Sequence, residues 1–431
     1  ARSARLSCNY FTVTGRMTCL KGIARFTTNA VTAAAFVIWL GGCDSSGTAP
    51  SDNAGNTPPP RSTLTIDCTA ANPACPEIPI SGDAPYRLPD GSTSPVRGYA
   101  DPSLRRDPAT GTLWLAYSWP HLDFTPGTNT GTVNVDSHLA RSVDGGLTWQ
   151  FVRPLWLGVP TVDDVGQSGY FNQETVSLAV RSAPTGSVWY SMRHRYFTRA
   201  GSDPRITSFT INAATASSPE LLVQAEEAQL GGDLTSAFWR VDFNLASLAA
   251  DLRGCTFFDP GIIWHNNALY LATQCILYGA SGEAPERQFV AVFSTTAQGT
   301  ARTWTWRYLG KLATYTDAVA LGGQTLLQTD LALGNDGTLL AIFSPSRPNT
   351  PVADHFGCRV VEIASLDPPR LARDLTGALR VRVVVTATDQ LPTGPAACGY
   401  DPASATGLLI VRRDQSRNQL AVTLNRTGLK P

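Results

Sequence analysis

Charge of either sign is sparse in this chain and it balances. Lys and Arg together number 34 and Asp and Glu 34, and charged residues make up 16% of the 431. With no net field, the chain has nothing to draw nucleic acid or an anionic membrane face, so neither is expected as a partner. Histidine is scarce too, five in all. No two stand at ligand spacing and no cysteine pair is spaced CxxC, which leaves zinc without a donor set. Long runs of Glu, Lys, Ala and Leu, the material of surface helices, are missing. No apolar run reaches the roughly 20 residues that span a bilayer. What is plentiful is glycine (37), proline (30), tryptophan (10) and tyrosine (12). That mixture suits short strands joined by many turns.

The chain begins with an address. Residues 31–42, VTAAAFVIWLGG, form a short apolar run preceded by Lys21 and Arg25 and followed at once by Cys43. A basic region, a short apolar region and small residues before a cysteine make an export signal. Leu40-Gly41-Gly42-Cys43 resembles the bacterial lipobox, which implies a lipid-modified Cys43 at the mature N-terminus. The expected layout is upstream read-through over 1–16, a signal peptide over 17–42 starting at Met17, a lipid-anchored flexible linker over 43–62, and one domain over 63–431. The linker is rich in Ser, Gly, Pro and Asn and cannot repay the entropy of folding. The expected location is the bacterial cell envelope, periplasmic or outer surface, with the lipid as the only membrane contact and a monomeric domain beyond it. Six cysteines follow Cys43, an even number in an exported chain, and sequence order proposes Cys68 with Cys75, Cys255 with Cys275, and Cys358 with Cys398.

A pattern of about 70 residues recurs through the domain. It runs from an aromatic or apolar residue through an acidic one, often followed by proline, to a strand, a turn and a second strand. The copies open at Tyr99-Ala-Asp101-Pro, Phe171-Asn-Gln-Glu174, Phe258-Asp259-Pro, Thr329-Asp330 and Tyr400-Asp401-Pro. Period-2 alternation in TLWLAYS and ALYLATQ, with Asp-Gly, Asn-Asn and Thr-Gly at turns, reads as hairpins. Third and fourth strands follow, SHLARS and WQFVRPL in the first copy. Four strands per unit is a propeller blade. The expected fold is therefore all-β, a β-propeller of four-stranded blades. Five blades are favoured, and six if residues 63–98 build their own. The last copy ends after two strands, so strands near STLTID and PYRL are expected to complete it and close the ring.

Ser142-Val-Asp144-Gly-Gly146-Leu-Thr148-Trp149 resembles the Asp-box of sialidases and related propellers. Physically it is a hairpin turn in which Asp144 accepts from turn amides, glycine takes positive φ and Trp149 packs between strands. Around it, Tyr99-Ala100-Asp101-Pro102, the GTLWLAYS hairpin, the His121-Leu-Asp123 loop and Arg141-Ser142 resemble the first blade of sialidases. That resemblance makes Asp123 a candidate catalytic acid. Ala100 stands where the family's arginine would grip a sialic acid carboxylate in a bidentate pair, which this chain cannot make there.

In a propeller the first strand of each blade lines the channel, so Asp101, Glu174, Asp259, Asp330 and Asp401 are expected to gather at one rim. Converging carboxylates push one another's pKa apart, as a general acid and base require, and glycosidases use two. The pattern also resembles five-bladed arabinanase and xylosidase propellers, which implies Asp101 as base and Glu174, the only glutamate of the set, as acid. Two other readings stay open: each Asp-Pro simply starts a strand, or the ring holds a structural Ca²⁺ in the channel; no other cofactor is expected. Arg193 and Arg195 could reach an anionic substrate. Trp119, His121, Tyr99 and Tyr400 could contact a sugar ring. The expected partner is a carbohydrate or glycoconjugate, hydrolysed by the rim carboxylates or bound without catalysis.

Overall fold

The computed structural model describes residues 62–431, apart from 69–74, 125–130, 164–165, 200–205, 233–240, 280–281, 348–353, 387–395 and 414–420. The expected export signal, Cys43 and the expected linker up to Arg61 lie outside the described residues. The chain divides into units 1–58 and 59–431, and the described residues all lie in the second.

Alternation along the strand Leu113–Phe124 shows how the sequence builds this fold. Leu113, Leu115 and Tyr117 pack on one side with Ile80, Leu409 and Leu424. Trp114 and Ala116 pack on the other with Leu178 and Trp189. Both faces of the sheet are therefore buried, each against a neighbouring sheet. The same holds around the molecule: five apolar clusters lie one in each seam between sheets. Fully burying one large apolar side chain there stabilises by about 1.5–3 kcal/mol.

The sheets are the blades of a five-bladed propeller. The first blade holds Ala100–Arg106, Leu113–Phe124, Gly131–Ser142 and Trp149–Trp156 from axis to rim. The second holds Ser168–Ala183, Gly186–Arg199, Ile206–Ala216 and Ala228–Gly231. Thr256–His265, Ala268–Ile276, Phe289–Thr295 and Arg307–Thr314 form the third. The fourth consists of Thr325–Leu333, Leu339–Arg347, Cys358–Leu366 and Val381–Thr386. Ala396–Gly399, Leu409–Arg413 and Ala421–Arg426 begin the fifth. Among the described residues one short α-helix, Tyr315–Ala320, links the third blade to the fourth, and no helix is long and apolar enough to cross a membrane.

Ring closure differs from the sequence expectation. The fourth position of the fifth blade is filled by Arg97–Gly98, which pairs in parallel with Ala421 and Val422, and by a bridge from Glu77 to Asn425. STLTID supplies Leu64–Asp67 to the outer edge of the fourth blade instead, in parallel register from Leu64 opposite Val383. Ile80–Ser81 joins the outer edge of the first blade. The PYRL segment makes a local bridge, Arg87 to Thr93, and lays Tyr86 against Trp119 and His121. Among the described residues no sixth blade forms, because 63–68 and 75–98 are spent in short pieces lacing blades four, five and one. Disulfides Cys68–Cys75, Cys255–Cys275 and Cys358–Cys398 brace the ring, the last tying the fourth blade to the fifth.

One irregularity repeats in every blade. Pairing between first and second strands slips once, beside Asp101, Thr175, Asp259, Gln328 and Ala397. Those five residues carry φ of 47°, 51°, 48°, 51° and 50°. Each is a β-bulge with a non-glycine residue in the left-handed region, a conformation that costs about 1–3 kcal/mol and re-aims the side chain. Just below them the channel is tight. A Cβ on Gly261 would stand 2.6 Å from the Thr329 carbonyl oxygen, and one on Gly399 would stand 2.3 Å from that of Pro102.

Candidate active site at the channel mouth

The five bulges place Asp101, Thr175, Asp259, Gln328 and Ala397 at equivalent points around the axis, and side-chain bonds join four of them. Thr175 donates from Oγ1 to Asp259 Oδ1 at 3.3 Å. The Gln328 amide donates to Asp259 Oδ2 at 3.0 Å, and its Nε2 donates to Asp101 Oδ1 at 3.1 Å. Asp101 is also engaged by Ser118 and Thr175. Glu174, next to Thr175, accepts from the Tyr196 hydroxyl. Asp101 and Asp259 are 7% and 9% exposed, whereas Glu174 stays partly open to solvent.

Burial dominates the electrostatics. It pushes Asp101 up to about 7, helped by the charge of Asp259. Burial and then the charge of Asp101 push Glu174 up to about 8, against the Tyr196 hydrogen bond. Asp259 is raised by burial as well, opposed by the Gln328 amide and the Thr175 hydroxyl. Three carboxyls so close, two of them buried, do not all ionise at neutral pH. The cluster keeps a proton at hand beside a carboxylate, which is the equipment of general acid and base chemistry.

An aromatic wall flanks Glu174 on the side of the third blade. His194, opposite Glu174 in the strand register, stacks on Phe209 at 5.5 Å and meets Phe258 edge-on at 4.8 Å. Burial drives its pKa down to about 3. Its Nε2 finds no hydrogen-bond partner among the described residues. Phe209 and Phe258 are only partly buried.

The other two acids of the expected ring are not at this mouth. Asp330 lies a layer deeper, two residues past the bulge, where its carboxylate pairs with Arg105 at 2.8 Å and accepts from Ser177 at 3.1 Å. Asp401 lies four residues past Ala397, and its carboxylate accepts the amides of Arg106 at 2.9 Å and Ala403 at 2.8 Å. Both therefore do structural work. Asp123 sits at the end of Leu113–Phe124, where its charge acts on Tyr86 and His121 rather than on the carboxylate cluster.

The expected substrate contacts are mostly occupied by the protein itself. Arg193 grips Glu227 through two nitrogens at 2.7 and 2.8 Å, donates to Gln173 at 2.8 Å and lies over Trp156. Arg195 lies over Phe171, and burial with the charge of Arg193 lowers its pKa to about 10. Trp119 is buried against His138 at 4.6 Å, and His121 is buried against Tyr86. Tyr99 meets Tyr117 edge-on at 5.3 Å. Tyr400 is fully buried and donates to Asn335 at 3.0 Å. In the Ser142–Trp149 turn, Asp144 accepts from the Thr148 amide at 3.0 Å and hydroxyl at 2.6 Å, and Ser142 accepts from the Gly146 amide at 2.7 Å. Those bonds lower Asp144 to about 2, and Trp149 is buried below. Among the described residues no three His, Cys, Asp or Glu side chains are arranged to hold a metal.

Thr175, Gln328, Tyr196, Phe209 and Phe258 belong to the site although no acidic motif marks them. No residue type marks the bulges: each bulge residue stands one or two positions before Ser103, Ser177, Gly261, Asp330 or Cys398, where pairing with the second strand resumes.

No protein-family model matches the sequence, and no curated protein matches it. Among solved structures the chain is similar to sucrose-6-phosphate hydrolase from Lactobacillus gasseri, with 10% identity, 77% of this chain covered and a TM-score of 0.41. It spans 58% of the length of that protein. It is similar also to an arabinanase of Bacillus subtilis, with 12% identity over 76% of this chain and 93% of that one and a TM-score of 0.41. An α-L-arabinofuranosidase from Fusarium graminearum, in complex with an iminosugar inhibitor, is similar at 14% identity over 78% of each chain, with a TM-score of 0.37.

Proposed function

We propose that this chain is a cell-envelope glycoside hydrolase that cleaves a neutral glycan at the mouth of its channel. The observation that carries the reading is the cluster itself, in which Thr175 and Gln328 bridge Asp259 to Asp101 and Glu174 stands next to Thr175, with burial raising all three carboxyls. Glu174, protonated at neutral pH, gives its proton to the glycosidic oxygen as the bond to the anomeric carbon breaks. Asp101 takes a proton from the water that attacks that carbon. Asp259 holds Thr175 and Gln328, and Gln328 in turn orients Asp101.

A neutral substrate fits what surrounds the acids. Ala100 offers no guanidinium, and Arg193 and Arg195 are engaged by Glu227 and Phe171. Phe209 and Phe258 pack on His194 and on each other but stay partly exposed, leaving apolar surface that a sugar can contact. The envelope location rests on the Leu40–Cys43 lipobox and agrees with three disulfides. Labelling cells with a radioactive fatty acid tests it: the label should follow the chain and disappear with Cys43→Ala.

A second reading, glycan binding without catalysis, draws on the narrowness of the channel. The cavity beside Asp101 and Gln328 measures about 20 Å³, room for a single water. A hydrolysis screen on neutral oligosaccharides decides between the two. Wild type should release reducing ends, and Glu174→Gln and Asp101→Asn should each lose about 10²–10⁴-fold in kcat. Wild type that binds an oligosaccharide yet releases nothing would favour the second reading, and equal rates in variants and wild type would remove these residues from the mechanism.

A further inference from the structure

A second depression, about 390 Å³, opens on the third blade, lined by Phe289, Lys311, Glu286, Arg287, Asp251 and Tyr315 among others. Strand direction fixes which face it belongs to. Asp259 stands near the start of Thr256–His265, the first strand, so the second strand ends at the mouth face, the third begins there and the fourth ends there. Phe289 begins the third strand, Thr314 ends the fourth, and Tyr315 follows it into the helix. The depression therefore shares a face with the carboxylates. It lies two to three strand spacings from the axis-lining strand, about 10–14 Å.

A hydrogen-bonded floor runs between the two. Phe258, the neighbour of Asp259, is paired with Gln274. Gln274 donates to the side-chain oxygen of Gln288 at 3.1 Å, and the Thr325 hydroxyl donates to the same oxygen at 2.7 Å. Gln288 is buried and borders the depression.

The lining also limits the ligand. Two cations and two carboxylates balance, and Lys311 already stands 3.6 Å from Asp251 and 4.1 Å from the Phe289 ring centre. An ion gains little from a site with no net charge. Hydroxyl groups do better, since charged donors and acceptors make the stronger hydrogen bonds with them, and the volume lies within the usual small-molecule range.

We propose that this depression is a distal subsite that holds a remote sugar unit of the same neutral oligosaccharide whose scissile bond lies at Asp101 and Glu174. The proposal rests on the hydrolase reading. It makes the enzyme one that prefers chains to disaccharides.

Calorimetric titration of the full-length Glu174→Gln protein tests this, with neutral linear pentose and hexose oligosaccharides of two to six units as probes. Affinity should rise about tenfold or more from the shortest chain to the longest. In Glu174→Gln carrying also Lys311→Ala and Arg287→Ala, that gain should vanish, with an unchanged melting temperature certifying the fold; Glu174→Gln with Tyr315→Ala gives a second variant of the same test. Binding that is independent of length, or a gain that survives both variants, overturns the subsite and leaves the hydrolase reading standing. No binding of any probe, together with no hydrolysis by wild type, overturns both.

Discussion

Arg105 and Asp330 form an ion pair at 2.8 Å in the middle of the channel, with side chains 8% and 7% exposed. The same guanidinium donates to the carbonyls of Ile262 at 3.0 Å and Leu331 at 2.7 Å, and Ser177 adds a bond to Asp330. Four blades thus meet on one pair. Asp330→Ala leaves a buried cation without its partner and should cost about 3–5 kcal/mol in urea unfolding, whereas replacing both residues by Met should cost much less. A loss below about 1 kcal/mol for the single variant would show that other groups hold the axis.

That pair also marks where sequence reasoning stopped. The blade repeat, the all-β class, the five-blade count and the three disulfides were legible, because hairpin turns and period-2 alternation are local and survive divergence between blades. Asp101 and Asp259 were legible through their Asp-Pro setting. Asp330 and Asp401 carry the same acidic signal, yet a bulge fixes depth by backbone conformation rather than residue type. Gln328 and Ala397 occupy the rim, so the acids that follow them in sequence fall to lower levels. The closing strand was missed for a related reason, since Arg97–Gly98 is two residues long and has no periodicity to read.

Activity should follow a bell-shaped pH profile whose two limbs belong to the Asp101–Glu174 pair, both lying above the ordinary carboxylate range because burial raises both groups. Asp259→Asn removes the charge that helps to raise Asp101, so the acid limb should move to lower pH. A profile of kcat/KM that keeps its acid limb in this variant would break the assignment.

The same elevations bear on stability. Both carboxyls titrate higher folded than unfolded, so the unfolded chain has already ionised above about pH 4 while the native cluster still holds its protons. The folded state binds more protons across that interval, and unfolding free energy should fall as pH rises from about 4 towards 8. Glu174→Gln should flatten this slope and melt higher than wild type at pH 9. A lower melting temperature there would mean that the glutamate is stabilising in its charged form.

On the rim of the first blade, the Asp83 carboxylate accepts from Tyr117 at 2.6 Å and stands 3.2 Å from His138 Nδ1. Asp83→Ala strands two buried polar groups, an expected loss of about 1–3 kcal/mol. Hydrogen exchange should quicken over residues 80–98 and stay slow in the third blade. Equal exchange in both proteins would show that Asp83 does not hold this segment.

Cys358 and Cys398 are 40 residues apart and join two blades, whereas Cys68 and Cys75 are 7 apart. Loop entropy makes removal of the longer cross-link costlier by about 1.5 kcal/mol. Guanidinium unfolding of the two double Cys→Ser variants should reproduce that order, and a larger loss from the shorter loop would point to native packing in its place.

The short pieces that lace blades four, five and one have a mechanical meaning. Leu64–Asp67 lies parallel to Val381–Thr386, and Arg97–Gly98 lies parallel to Ala421–Arg426 of the fifth blade. A pull applied at residue 62 along the strand direction would shear all the bonds of the first pairing together, where a peeling geometry would break them one by one. Beyond it stand the Cys68–Cys75 bond, the Glu77 and Arg97 pairings on the fifth blade and the Ile80 pairing on the first. Load entering from the N-terminal side is thus shared among three blades before it reaches the seam that closes the ring, and the channel with its carboxylates is shielded from tension on the chain.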